Sequence, residues 1–280
     1  MRRIIYSFYI EIPKDKVVSH IESVDLFAQN YDWLLERHKD YADSIGVEYK
    51  HFINGPEFEE YKLWFEENYP EVSFYNIVNF YKIQLMYSLI DDYDEILYLD
   101  MDVIPITELN FFDEWDLSKG PVIMSGTSDN QQEIDLKNTT KYKHHVRSPM
   151  AKLWNSKCIL AELNYDIKEP EVFNTGIVGI NAKSLKQLSY FENFKGFLDM
   201  MTEMINDEFY PDTIRYMFGY DNETLWGVKT YINNIKWQLI GDEWHYFMDK
   251  WSYIKKNSKF IHCVSKDFEY VREWCEKNNL

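Results

Sequence analysis

Along the first hundred residues the apolar positions recur in two different periods. Ile4–Ile12 is a short, nearly continuous apolar run and reads as a strand. From Val24 to Ser44 the spacing becomes helical, with Leu26, Phe27, Trp33, Leu34 and Tyr41 available for one face. Val47–Ile53 predicts a second strand, Asn54–Gly55 a turn, and Pro56 the opening of a helix that runs to about Tyr69. Val72–Phe74 reads as a short strand, Tyr75–Ile90 as a strong helix and Glu95–Leu99 as a buried strand. Strands alternating with helices predict an α/β fold with a mostly parallel central sheet flanked by helices.

Beyond residue 105 the pattern is less regular. Val122–Ser125 reads as a strand, Ser128–Ser148 as a long polar loop or flap, and Pro149–Glu162 as a helix. Ile177–Ile180 is strand-like and leads into a helix from about Ala182. Asp199–Glu208, Asn222–Asn233 and Lys266–Lys277 read as helices, and Trp237–Ile240 and Phe260–Val264 as short strands. There are no repeats and no Gly/Ser linker, so a single Rossmann-like domain over 1–280 is expected.

Composition narrows the function. The formal net charge of −17 disfavours nucleic acid and anionic lipid as partners, and the densest basic stretch, Ile254–Lys259, is short. Three cysteines, Cys158, Cys263 and Cys275, form no C-x-x-C pair, which points away from a disulfide framework or structural zinc and towards a reducing compartment. No apolar window of about 20 residues is present, and Glu11 interrupts the apolar N-terminal run. A cytoplasmic protein without a membrane span is the expectation. Aromatic residues make up 18% of the chain, suited to a bulky core or to stacking on a sugar or base.

The chemistry begins at "YDEILYLDMDVIPI", Tyr93–Ile106, where Asp100 and Asp102 follow a buried strand. In extended backbone, residues two apart point the same way, so the two carboxylates converge on one hard cation such as Mn²⁺ or Mg²⁺. They stand at the C-terminal end of a predicted central strand, where open α/β sheets place their ligands. Without a cation such a pair repels itself. His262 follows "KFI" at another predicted strand end and would add an imidazole if the two strands are neighbours. Asn174 and Gly176 precede an apolar strand, either as an ordinary turn or as an amide reaching sugar hydroxyls beside a close backbone approach. Asp221 precedes a helix, as an N-cap, a site residue or both. Asp129, in "SGTSDN", is a candidate partner for a sugar hydroxyl, and His144, His145 and Arg147 fall in the expected flap.

The stretch "YDEILYLDMDVIPITEL" resembles the D-x-D segment of the GT-A glycosyltransferases, closest to the glycogenin and lipopolysaccharide-galactosyltransferase group, glycosyltransferase family eight. Four further blocks follow in the order the family has them. "NFYKIQL" is similar to a stretch that carries an arginine near the nucleotide, with Lys82 here. "FNTGIVGINAKSL" resembles F-N-A-G-x-x-x-I-N, whose asparagine touches the donor sugar, and "YDNETLWGV" resembles the D-Q-D-x-L-N segment lining the reaction centre. "KFIHCVSKDFEYVREW" resembles H-x-x-G-x-x-K-P-W, with Ser265 in place of the glycine and Phe268 in place of the lysine. Lys266 and Lys259 stand nearby as substitutes for that lysine.

The resemblance implies a GT-A fold with a nucleotide-binding half of about 1–105 and an acceptor-side half of about 106–280. It implies a metal-dependent, retaining hexosyl transfer from a nucleotide-diphosphate sugar, UDP-linked by preference, to a hydroxyl of a glycan, glycoprotein or other acceptor. Asp100, Asp102 and His262 would hold Mn²⁺ or Mg²⁺. Ser7, Tyr9, Lys82, Met101, Gly176, Ser265 and Lys266 would join Asp100 and Asp102 around the nucleotide sugar, and Asp221, Asn174 and Asp129 would act at the reaction centre. Two alternatives stay open: a sugar-phosphate nucleotidyltransferase, and a non-catalytic nucleotide-sugar or carbohydrate-binding protein of the same fold.

Overall fold

The computed structural model describes residues 1–16, 22–125, 148–165, 170–208, 210, 219–249 and 253–280. In chain order its main elements are β1 (Arg3–Tyr9), α1 (Glu22–Ser44), β2 (Glu48–Ile53), α2 (Pro56–Asn68), α3 (Phe74–Leu89), β3 (Glu95–Leu99), β4 (Val103–Pro105), α4 (Phe111–Glu114), β5 (Val122–Ser125) and α5 (Ser148–Glu162). They continue with β6 (Phe173–Asn181), α6 (Ala182–Leu188), α7 (Phe194–Asn206), α8 (Asn222–Ile232), β7 (Gln238–Leu239), β8 (Tyr246–Met248), β9 (Phe260–Cys263) and α9 (Phe268–Asn278). Two compact units emerge. One comprises Met1–Met124, Thr175–Ser184 and Trp237–Leu280; the other comprises Ser125–Asn174 and Leu185–Lys236.

The first unit is built on a sheet in the order β2-β1-β3-β6-β5-β7. β1 pairs in parallel with both β2 and β3, and β5 with β7, as the alternating pattern predicts. β6 runs antiparallel to β3, with Leu99 opposite Ile177. No short crossover helix joins those two strands in sequence, so nothing forces β6 into the parallel sense. All five residues of β3 are buried, as a strand covered on both faces requires.

The expected strand at Val72–Phe74 does not form. The Ser73 hydroxyl accepts the amide of Asn76 at 3.2 Å, and this cap starts α3 at Phe74. α3 is buried on nearly every side, including Ile77, Phe80, Ile83 and Met86, which places Lys82 inside the unit.

Gly179 in β6 sits where a side chain has no room. A Cβ there would lie 2.5 Å from the Phe111 ring, itself fully buried and packed on Phe112, Trp115, Trp244 and Phe260. The ring cannot swing aside cheaply. Gly179→Ala is expected to destabilise the fold by about 1–3 kcal/mol, read by urea unfolding.

β4 and β8 have no counterpart in the strands expected above. With β9 they form a second sheet, ordered β4-β9-β8. β4 ends in Pro105, tolerable because β4 is an edge. A core of Leu34 from α1, Ile104, Met248, Ile261 and Cys263 from the sheet, and Phe268 and Val271 from α9 encloses it.

α1 also buries His38 completely, its Nε2 2.5 Å from the Val103 carbonyl. Burial takes His38 down to about 4, against the opposing pull of that carbonyl, and burial likewise takes His51 to about 4. Both rings are neutral in the fold, whereas the unfolded chain takes up their protons near pH 6.5. Their contribution to stability is therefore complete above pH 6.5 and is lost as the pH falls towards 4. For buried His38 alone that loss is about 3 kcal/mol. Urea midpoints measured between pH 7 and 4 should fall, and His38→Gln, which still donates to Val103 but does not titrate, should flatten the slope.

In the second unit α5, α7 and α8 carry the packing. Trp154 and Tyr210 meet edge to face at 4.9 Å, and the Tyr190 hydroxyl donates to the Asn222 carbonyl at 3.0 Å. Among the described residues no helix is long and apolar enough to cross a membrane.

Candidate active site

The site grows out of the end of β3. The Asp100 amide donates to the Gly176 carbonyl at 2.8 Å, which prolongs the β3–β6 ladder by one residue. The chain then turns, and the Val103 amide donates back to the Asp100 carbonyl at 2.9 Å. Asp100 and Asp102 thus come together around a tight turn rather than along an extended strand as expected. β4 follows at once and pairs antiparallel with β9, placing Val103 opposite His262. The Cys263 amide also donates to the Asp102 carbonyl at 2.9 Å. His262, on the middle strand of the second sheet, is thereby held one residue from Asp102 across the ladder.

One ligand atom from each of Asp100, Asp102 and His262 lies within 4.8 Å of the other two. An ion such as Mg²⁺ sits about 2.1 Å from its ligands, so its donors lie at most about 4 Å apart. Donors at right angles around such an ion stand about 3 Å apart, so the three side chains close on it by at most about 2 Å. Two carboxylate oxygens and an imidazole nitrogen suit Mn²⁺ or Mg²⁺.

Lysines balance the two acids. Asp102 is buried, the Lys266 ammonium is paired to its Oδ2, and His262 Nε2 lies 3.4 Å from the same oxygen. Burial alone would raise the Asp102 pKa, but Lys266 and His262 together outweigh it and hold the carboxyl well below the usual carboxylate range. Burial would lower Lys266, and the Asp102 carboxylate more than reverses that. Asp100 accepts a hydrogen bond from the Tyr98 hydroxyl, with Lys82 Nζ at 3.5 Å. Burial, then the Asp100 charge, push Tyr98 well above the ordinary phenol range, so it stays a donor.

Lys266 was expected to begin the last helix. It lies instead in the turn before α9, in the left-handed region at φ 59°, its amide donating to the Cys263 carbonyl at 3.0 Å. A non-glycine residue held there costs about 1 kcal/mol or more.

The remaining expected nucleotide residues are also placed. Ser7 is buried, its hydroxyl taken up by Tyr49 at 2.6 Å and His51 at 2.8 Å. Tyr9 is half-buried against the rings of Phe27 and Tyr31. The Met101 side chain is buried in the core of the second sheet, so only its main chain is free to meet a ligand. Ser265 is half-buried in the turn that follows β9.

Asn174 and Asp221 belong to the second unit. Asn174 is half-buried near the start of β6. Asp221 caps α8, accepting from the amide of Thr224 at 2.6 Å and from its hydroxyl at 2.8 Å. It is buried, and burial raises its pKa, with Lys152 opposing and Glu223 adding to the rise. Lys152 is itself paired with Glu223. Asp129, His144, His145 and Arg147, together with nearly all of the expected flap, lie outside the described residues.

Three groups near these sites had no sequence signal: the Tyr98 hydroxyl on Asp100, Lys152 beside Glu223, and His245, whose Nε2 is 2.9 Å from His262 Nδ1.

Among known proteins, no curated sequence matches the chain. Similar solved structures include a glycosyltransferase involved in the glycosylation of the major capsid of PBCV-1, at 14% identity and TM-score 0.46, covering 99% of this chain and 100% of that one. An active-site mutant of LgtC shows 15% identity and TM-score 0.46, covering 98% of this chain and 95% of that one. Mouse xyloside xylosyltransferase 1 shows 9% identity and TM-score 0.46, covering 94% and 98%. The family profile described as "Glycosyl transferase family 8" matches residues 15–267, most of the chain. With that match, this chain belongs to glycosyl transferase family 8 and is a glycosyltransferase.

Proposed function

We propose that the enzyme moves a hexose from a nucleotide-diphosphate sugar, UDP-linked by preference, to a hydroxyl of a glycan or glycoprotein, with retention at the anomeric carbon and with a divalent cation held by Asp100, Asp102 and His262. The carrying observation is that these three donors, 162 positions apart at the extremes of the set, converge within 4.8 Å. A cation bound there would supply Lewis-acid neutralisation of the departing diphosphate.

The chain's own groups do the rest. Tyr98 and Lys82 orient the Asp100 carboxylate, and Lys266 holds that of Asp102. Lys266 also offers an ammonium at the place where a diphosphate would arrive, in the role the family gives to a lysine two residues further on. The family resemblance assigns to Asn174 and Asp221 the positioning of the donor sugar and the stabilising of oxocarbenium-like charge. Because retention lets the leaving diphosphate oxygen take the acceptor proton, no strong side-chain base is required. The GT-A architecture belongs to the same reading, as does the cytoplasm, which the free thiols of Cys158, Cys263 and Cys275 support.

The test is a panel of UDP- and GDP-sugars with and without Mn²⁺, read by thermal stabilisation and by release of free sugar. One donor class should raise the midpoint and be hydrolysed slowly only with Mn²⁺ present. Absence of both effects across the panel would overturn the reading.

A further inference from the structure

We propose that His245 is a positioning residue for the cation site, setting the tautomer of His262 so that its Nε2 is left free to ligate. This rests on the metal reading given above. His245 is fully buried just before β8. The amides of Trp244 and His245 both donate to the Gly241 carbonyl, at 2.9 and 3.0 Å, which pins the turn that carries the ring. β8 runs parallel to β9 with Phe247 opposite His262. The Phe247 ring packs on both imidazoles, with centroids 5.1 Å from His245 and 4.7 Å from His262.

The two imidazoles are 2.9 Å apart at His245 Nε2 and His262 Nδ1, with centroids 5.1 Å apart and planes inclined by only 19°. Nitrogens that close between rings that far apart mean the rings meet edge to edge in nearly one plane, along a lone-pair direction.

A neutral imidazole has one donor and one acceptor nitrogen, so a single proton lies between the facing atoms. If it belongs to His245, His262 carries its own proton on Nε2 and has no lone pair for a cation. If it belongs to His262, Nδ1–H donates to His245, and Nε2 can give its lone pair to a cation that replaces the Nε2–Asp102 contact. Only the second arrangement ligates. His245 Nδ1 has no hydrogen-bond partner among the described residues, so its contact with His262 is the one polar task found for the ring. A buried imidazole with half its polar atoms unpaired is a poor core residue, and an aromatic hydrocarbon would pack there at less cost. The bond to His262 is what a histidine adds.

The full chain, without donor sugar, is titrated with Mn²⁺ alone, and free Mn²⁺ is counted by electron paramagnetic resonance. His245→Phe keeps the ring shape and removes the acceptor, and should raise the Mn²⁺ dissociation constant about 10–100-fold. His245→Gln retains an acceptor oxygen and should stay within about threefold of the parent. Parent-like affinity in His245→Phe, or equal loss in both variants, would overturn the inference. His262→Ala separates the two levels: unchanged affinity there sinks the metal reading itself, whereas loss there with His245→Phe unchanged sinks only the role of His245. Should His245→Phe fail to fold, nitrogen-15 spectra of the parent with Mg²⁺ decide. A protonated Nδ1 on His262 supports the assignment, and a protonated Nε2 defeats it.

Discussion

Asp102→Asn is expected to abolish Mn²⁺ binding and to lower kcat/KM for sugar transfer by about a thousandfold or more, the equivalent of several kcal/mol of charge stabilisation. The same change removes the counter-charge from Lys266, whose side chain is only 20% exposed. A largely buried ammonium without a partner should cost about 3 kcal/mol of stability. Asp100→Asn strands a second ammonium, that of Lys82, 3.5 Å away and only 3% exposed, so it too should cost stability while activity falls as far. Mn²⁺ titration, turnover and urea unfolding on both variants separate the two effects. Parent-like turnover in either would remove the metal from the mechanism.

Lys266→Met should move two affinities in opposite directions. The ammonium now opposes any cation approaching Asp102, so its removal should tighten Mn²⁺ binding. Binding of a nucleoside diphosphate should weaken, and kcat should fall by about a hundredfold, the effect of losing one well-aimed donor to a developing anion. Calorimetric titration with Mn²⁺ alone and then with UDP reads both. If both affinities fall together, Lys266 serves only to hold Asp102 in place, and another group must meet the phosphates.

Much of the sheet was legible because its strands are buried and sharply bounded. Glu95–Leu99 and Val122–Ser125 are found at the expected residues, since an apolar run closed by charge or by Gly leaves little freedom. The acids of the candidate cation site were legible for a related reason: Asp100 and Asp102 stand out against an apolar background. What brings His262 to them was not. β4 is three residues long and begins directly beyond the two acids, too short to show the alternation that marks a strand. The turn between them is closed by a main-chain hydrogen bond, invisible to side-chain patterning. Tyr98 reads as one more core aromatic, and "EWHYF" hides His245 in an aromatic patch for the same reason. Lys266 was placed in a helix because its neighbours are good helix formers, and only tertiary pairing with Asp102 shows why it stands outside one.

The pairing of β4 with β9 has a consequence for how this protein can change. Side chains alternate between faces along each strand, so sliding Val103–Pro105 by one place against Phe260–Cys263 would present a different neighbour beside Asp102 and turn the imidazole aside. An added or deleted residue here would spare most of the scaffold and silence the enzyme. Drift in this short stretch is freer in chemical character than in chain length.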